Sequence, residues 1–196
     1  GSTRFNHNQT CVLVAVNGPK EVESKKEQVS EAVVEVTFKP RSGLPGPKEK
    51  EMEAILRQTL ESVILLSMHP RTAISVIFQV LVDDGSVLAA CINGAYVALM
   101  DAGIPLRLQV TSVTCAISAD GVLLLDPVKS EEALAASCVT VGINSVDGGV
   151  VCTHCSGPLP EESLFQCIAA ATEGAKTVLA FVRMTFEKQL EKNALR

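Results

Sequence analysis

Nowhere in the 196 residues does an uninterrupted apolar run reach the roughly 18 needed for a membrane-spanning helix, so a helical span is excluded. A basic surplus is missing too: 17 Lys and Arg stand against 22 Asp and Glu, a net charge of −5. The molecule as a whole is therefore not a polyanion binder, and any contact with RNA or DNA must come from a local basic patch or from partner chains. Tryptophan is absent, as are internal repeats and low-complexity tails. Only three histidines occur, His7, His69 and His154, and spacing gives none of them a Ser, Cys or Asp partner, so no catalytic triad is inferred. No signal peptide is visible at the start. The opening Gly1-Ser2 reads as a cloning remnant, with native N-terminal residues expected to be missing ahead of it.

What is present is a chain 47% hydrophobic and 20% charged, long enough for one domain or two tightly joined lobes around a sizeable core. Seven cysteines (11, 91, 115, 138, 152, 155 and 167) lie mostly inside apolar runs. Their odd number and placement point to small core hydrophobes in a reducing compartment, cytosol or nucleus, not to a disulfide framework.

The apolar, β-branched runs 11–16 (CVLVAV) and 32–39 (AVVEVTFK) predict strands separated by a charged loop. RSGLPGP (41–47) is loop by composition. Met52, Ile55, Leu56, Leu60, Val63 and Ile64 recur at helical spacing, predicting an amphipathic helix over 49–66 that Pro70 cannot continue. AISVIFQVLV (73–82) predicts a buried strand. A DDG turn then leads into a helix over 87–101, closed by Gly103. Runs 106–117 and 121–126 flank an SADG turn and predict a hairpin. After a short polar-to-small segment (130–137) come strands over 138–143 and 150–155, then a long helix from 160 to about 193 with Glu early and Lys/Arg late. This order predicts an α/β fold, α+β in the sense of mixed sheets, with approximate lobes over 1–105 and 106–196.

Three candidate sites emerge from the residues. CTHC (152–155) supplies zinc-type ligands, but strand alternation puts Cys152 and Cys155 on opposite faces, and no second pair follows at finger spacing; core cysteines are the expectation. Arg41, Lys48 and Lys50 surround a flexible loop just before a helix, a small patch able to touch a nucleic-acid backbone. Asp126, Glu131 and Glu132 follow a strand end, where carboxylates can hold Mg²⁺. For both, an ordinary solvated loop or helix start is the commoner explanation. The DDG-to-helix stretch also has the geometry that offers backbone N–H groups to a phosphate.

The blocks HPRTAISVIFQVLVDDGSVLAACINGAYVALMDAGIPLR and VTCAISADGVLLLDPVKSEE resemble the RNase PH family of phosphorolytic 3′→5′ exoribonucleases. The PRT-x-I strand, the DxG turn, the small-residue helix ending ALxDAGIP-x-R and the DG-x-x-x-LD hairpin follow in the family's order. With LPGPKEKEMEAILRQTLESVIL upstream, the likeness runs from about 11 to 183. It implies an RNase PH fold of two βαβα-type lobes in one compact unit. The loop FKPRSGLPG and the block SVLAACIN resemble one branch in particular, the ring subunits of the eukaryotic exosome.

The resemblance also implies an active site, and this chain departs from it. Active members carry a DAGTRVAGITAAS-like block, so Val87 stands where Thr would be and Leu88 where the phosphate-gripping Arg would be, leaving Ser86 and helix-start N–H groups as the phosphate site. Lys48 replaces an Arg before the first long helix, keeping charge but losing the fork. Of the acidic pair after the LDLN-type strand, the first falls on Glu132 and the second on Cys138; Glu132, with Asp126 before it, is what remains for a catalytic role. The implied function is a non-catalytic or weakly active exosome ring subunit needing no cofactor. Other RNase PH-like subunits and single-stranded RNA are its expected partners, and nucleus, nucleolus and cytoplasm its expected locations. The alternatives are a phosphorolytic nuclease, or a Mg²⁺-dependent one acting on RNA or DNA, either as a homodimer when isolated.

Overall fold

The computed structural model describes residues 1–22 and 27–194. The first half runs β1 (Ser2–His7), β2 (Thr10–Glu21), β3 (Val33–Lys39), α1 (Pro47–Val63), β4 (Thr72–Val82) and α2 (Val87–Asp101). The second runs β5 (Val110–Ile117), β6 (Leu123–Leu125), α3 (Lys129–Leu134), β7 (Ser137–Asn144), β8 (Val150–Ser156) and α4 (Glu161–Ala194). Each half contributes one four-stranded sheet, in the orders β1-β2-β4-β3 and β6-β5-β7-β8. The β3–β4 pair is parallel and all others are antiparallel. The α/β expectation holds, with a mixed sheet in the first half and an antiparallel one in the second, which reads ββαββα and not βαβα. No helix among the described residues is long and apolar enough to cross a membrane.

Helix α2 is apolar all round (VLAACINGAYVAL), and such a helix needs protein on every side. It is packed between the two sheets, against β1 and β2 on one side and β5 and β7 on the other. Its buried Asn93 is fully satisfied: the amide nitrogen donates to the Ser112 carbonyl (2.8 Å) and the amide oxygen accepts from the Ser112 N–H (2.7 Å). That pair ties the helix to β5. Helix α4 covers the other face of the second sheet, where Cys115, Val139, Val141 and Ile143 meet Cys167, Ala171 and Ala175.

Several boundaries differ from the sequence expectation, each for a physical reason. β1 is absent from the expectation because STRFNH offers a single buried apolar residue, Phe5, and gains its place by pairing with β2. β2 continues through the Asn-Gly-Pro stretch, past a register shift between Asn17 and Lys20, and so includes part of the expected charged loop. Residues 23–26 of that loop lie outside the described residues. α1 starts at Pro47, whose ring suits the first helical turn. It stops at Val63 because Ile64 turns extended and bridges Leu106. β5 begins only at Val110: the Arg107 and Leu108 amides bond instead to the Val63 carbonyl.

Gly94 marks a close approach of α2 to the first sheet, where an added Cβ would sit 2.9 Å from Val14 Cγ2 and 3.2 Å from Phe5 Cβ. We expect Gly94→Val to lower unfolding free energy by about 1–3 kcal/mol through overpacking, read as a lower denaturant midpoint. An unchanged midpoint would show that β1 and β2 yield without cost.

Candidate active site

The turn joining β4 to α2 is where the two halves of the chain meet. Gly85 has φ +95°, and a Cβ there would lie 2.5 Å from the Pro127 carbonyl oxygen and 2.8 Å from the Lys129 nitrogen. Only glycine permits both the conformation and the approach. From β2, the Thr10 hydroxyl donates to the Gly85 carbonyl (2.7 Å) and accepts from the Asp84 N–H (2.9 Å). From the first residue of α3, the Lys129 N–H donates to the Asp84 carbonyl (2.9 Å).

Ser86, the expected phosphate anchor, caps α2 from a left-handed conformation and is 3% exposed. Its hydroxyl donates to the Pro127 carbonyl (3.1 Å) and its N–H donates to Glu132 Oε1 (2.7 Å). Both polar groups are thus engaged within the chain. Leu88, expected in the arginine's place, is buried in the first core, and that expectation is corrected by one residue: laid over DAGTR, Asp83-Asp84-Gly85-Ser86-Val87 puts Ser86 at the Thr and Val87, a cleft-lining residue, at the Arg. Val87 is partly buried against the same core.

Around this point opens a cleft of about 590 Å³. Lys48, Glu51, Met52 and Ile55 of α1 form one wall, and Thr114, Cys138, Thr140, His154 and Ser156 of the second sheet form the other. Its charged lining is Lys48 and Lys129 against Glu51, Asp83 and Glu132. Lys129 is ion-paired with Asp83, whereas Lys48 has no ion-pair partner among the described residues. Burial pushes the Glu132 carboxyl above the ordinary glutamate value, with Asp83 adding to the rise; the Ser86 N–H and Lys129 pull it down less than burial raises it. Burial, and then the Glu132 charge, likewise raise the Cys138 thiol, so a neutral group stands at the second acidic position.

The carboxylates of the Mg²⁺ alternative turn to separate partners. Asp126 accepts from the Thr114 N–H (3.2 Å) and pairs with His7, Glu131 accepts from the Val128 N–H (2.9 Å), and Glu132 turns to Ser86. Glu131 and Glu132 are adjacent on α3 and cannot face one point. Among the described residues no three His, Cys, Asp or Glu side chains converge on a cation site.

Sequence reasoning left His7 isolated, and that too is corrected: its Nε2 lies 3.2 Å from Asp126 Oδ2, and its ring stacks on Phe5. β1 had no strand signal, so nothing in the sequence brought the two together. The CTHC alternation is observed, with Cys155 exposed and Cys152 partly buried. It also points His154 into the cleft, opposite Thr140, a lining residue the sequence reading missed. Of the basic patch, Arg41 and Lys48 line an adjoining groove of about 210 Å³ that shares Lys48, Met52, Asp83 and Val87 with the cleft. Lys50 is exposed and lines neither.

With this geometry in place, two models of the 3′ exoribonuclease family match the chain, domain 1 over residues 1–105 and domain 2 over 109–174. The exosome complex exonuclease RRP46 homolog of Arabidopsis thaliana is 35% identical, covering 98% of this chain and 87% of the relative. The exosome complex component rrp46 of Schizosaccharomyces pombe is 33% identical, covering 91% and 80%. The crystal structure of Oryza sativa Rrp46 superposes with a TM-score of 0.88 at 37% identity, covering 94% of this chain and 87% of that one.

A carboxyl raised above its unfolded value contributes stability fully at pH below the unfolded pKa and loses it as pH rises through the folded one. Ionised Glu132 therefore opposes folding at neutral pH. We expect Glu132→Gln, which keeps the acceptor oxygen, to melt higher than the wild type at neutral pH. The gap should close as pH falls toward the ordinary glutamate value of 4.5. A lower melting temperature for the variant at neutral pH would contradict this.

Proposed function

Because the chain belongs to the 3′ exoribonuclease family, we propose that it is a non-catalytic or weakly active RNase PH-like ring subunit of an RNA exosome. In this role it contributes to 3′→5′ RNA processing and degradation as a scaffold and an RNA contact. The observation that carries the reading is the start of α2, where Val87 stands in place of a gripping arginine, with apolar Leu88 after it, and the Ser86 N–H is held by Glu132. Phosphorolysis needs a phosphate bound beside an RNA backbone of the same charge. Removal of one electrostatic stabiliser of that kind costs on the order of 10²–10³ in rate. The family's second acidic group falls here on Cys138, and a raised thiol does not replace a carboxylate as acid or base.

The partners in this reading are other RNase PH-like exosome subunits and single-stranded RNA. It needs no cofactor, and it places the protein in nucleus, nucleolus and cytoplasm. The groove lined by Arg41 and Lys48 is the RNA contact, with both cations free of ion-pair partners among the described residues. Isolated from its ring, the chain forms a homodimer in this reading. The exposed Phe181 and Met184 on α4 support it, being apolar surface that association would cover. The same basic groove gives contact with DNA as with RNA, because phosphate contacts carry no sequence information.

The test is an exonuclease assay on labelled single-stranded RNA with and without inorganic phosphate. We expect no phosphate-dependent release of nucleoside diphosphates by the isolated chain. Release that Glu132→Gln abolishes would make the protein a phosphorolytic enzyme. For the groove, Arg41→Glu with Lys48→Glu should weaken RNA binding and flatten its salt dependence by about 0.7 in log–log slope for each lost phosphate contact. Lys50→Glu, outside the groove, should do less. Equal effects from the three positions would mean a diffuse field and no defined contact.

A further inference from the structure

We propose that the open edge of β8 is a docking site for an extended segment of another protein, ending in an acidic residue, which adds antiparallel to the four-stranded second sheet. The inference goes beyond the functional reading and does not depend on it.

The two sheets have four edge strands, β1, β3, β6 and β8, and three of them are blunted in ways that discourage pairing. β1 carries Arg4, and its Ser2 N–H is held by Asp101 Oδ2 (2.9 Å). β3 carries Glu35 and Lys39, its Phe38 N–H donates to Glu53 of α1 (2.8 Å), and Pro40 follows it. β6 is only three residues long. β8 (VVCTHCS) differs from all of them, with seven residues and no Lys, Arg, Asp, Glu or Pro. It pairs with β7, and among the described residues no side chain or loop bonds to its outer backbone.

Every second residue of an edge strand turns its N–H and C=O away from the sheet. Donors and acceptors in that alternation are matched by another extended backbone, so edges of this kind take up peptide strands. Thr153 and Cys155 are exposed on one face of β8, which leaves room for the side chains of an added strand.

The charge of the segment follows from one end of the edge. Beside Val150 lies a groove of about 340 Å³, lined by Ser62, Arg107, Asn144, Asp147, Val150 and Val151. Its other polar side chains make contacts within the chain. Ser62 Oγ donates to the Thr59 carbonyl (2.7 Å), Asn144 Oδ1 accepts from the Val146 N–H (3.2 Å), and Asp147 Oδ1 accepts from the Gly149 N–H (2.9 Å). Arg107 is anchored by its N–H on the Val63 carbonyl (2.7 Å), yet its exposed guanidinium has neither a hydrogen bond nor an ion-pair partner among the described residues. A strand that enters antiparallel at Ser156 leaves at Val150, so its C-terminal side chain meets this groove. A carboxylate there completes a charge-assisted pair with Arg107.

The test is a two-dimensional NMR titration of the full chain with an acetylated and amidated peptide, Thr-Val-Thr-Val-Thr-Val-Asp. A peptide of the same length with Pro in place of each Val is the control. We expect saturable shifts of the β8 amides and of the Arg107 side-chain N–H, with Kd on the order of 1 mM, and none with the control. Arg107→Gln, or Asn in place of the peptide's Asp, should each weaken binding roughly threefold, and the two together no more than either alone. Thr153→Lys puts a charge on the exposed edge and should abolish saturation. A well-dispersed spectrum with no saturable shift at β8 would overturn the proposal, as would equal binding of the Pro control. Dilution-dependent shifts of the β8 amides without peptide would give the edge to a second copy of this chain and overturn it too. Shifts of the same amides by a single-stranded oligonucleotide would do so by assigning the edge to nucleic acid. The peptide titration contains neither RNA nor phosphate, so its failure leaves the functional reading standing, and phosphorolysis by the wild type would leave the peptide site standing.

Discussion

The absence of a side chain at Gly85 is the constraint on which the rest of the site depends. With no Cβ there, the β4–α2 turn of the first half and the Pro127–Lys129 segment of the second come into backbone contact. Thr10 fastens the turn from β2, and the Pro127 carbonyl, accepting from Ser86, and the Lys129 N–H fasten it from the β6–α3 side. The cleft is therefore a product of the junction between the halves. One wall is α1, the other is the second sheet, and the floor is the end of a helix that both sheets share. Neither half alone would form it.

That arrangement lets the fold stand independently of the charges in the cleft. The fold is held by the apolar surround of α2, by Asn93 on Ser112 and by the packing of α4, none of which uses a cleft residue's charge. Leu88 even contributes to the first core. An apolar side chain at this position adds burial where a guanidinium would require an anion to balance it. In the proposed role, contact with RNA falls to the rim, where Arg41 and Lys48 line a groove whose two carboxylates are already engaged: Glu49 accepts from the Gly46 N–H at 2.7 Å and Asp83 pairs with Lys129.

Much of this was legible in sequence, in the places where local pattern decides structure. β4 and α2 were readable because a β-branched run and an all-round apolar helix allow few alternatives. β1 was not, because five of its six residues carry no strand signal and its existence depends on β2. The same blindness hid the His7–Asp126 pair. The Ser86–Glu132 contact joins residues on different elements, and no periodicity encodes it. Helical phase, by contrast, could have separated Lys48 from Lys50: two positions along α1 is more than half a turn, and Lys48 shares its cleft face with Met52 and Ile55.

The departures from the active pattern also compensate one another physically. A guanidinium at the position of Val87 would have balanced two carboxylates in a partly desolvated cleft. Without it, a second carboxylate at the position of Cys138 would stand beside Glu132 with no cation to offset it, since Lys129 is already shared with Asp83. Two like charges so placed drive one of them to its neutral form. A thiol raised by burial and by Glu132 is neutral from the outset. The one remaining acid finds its partner in the Ser86 N–H. Absence of the guanidinium and absence of the second acid are thus two sides of one charge balance, and each makes the other less costly to keep.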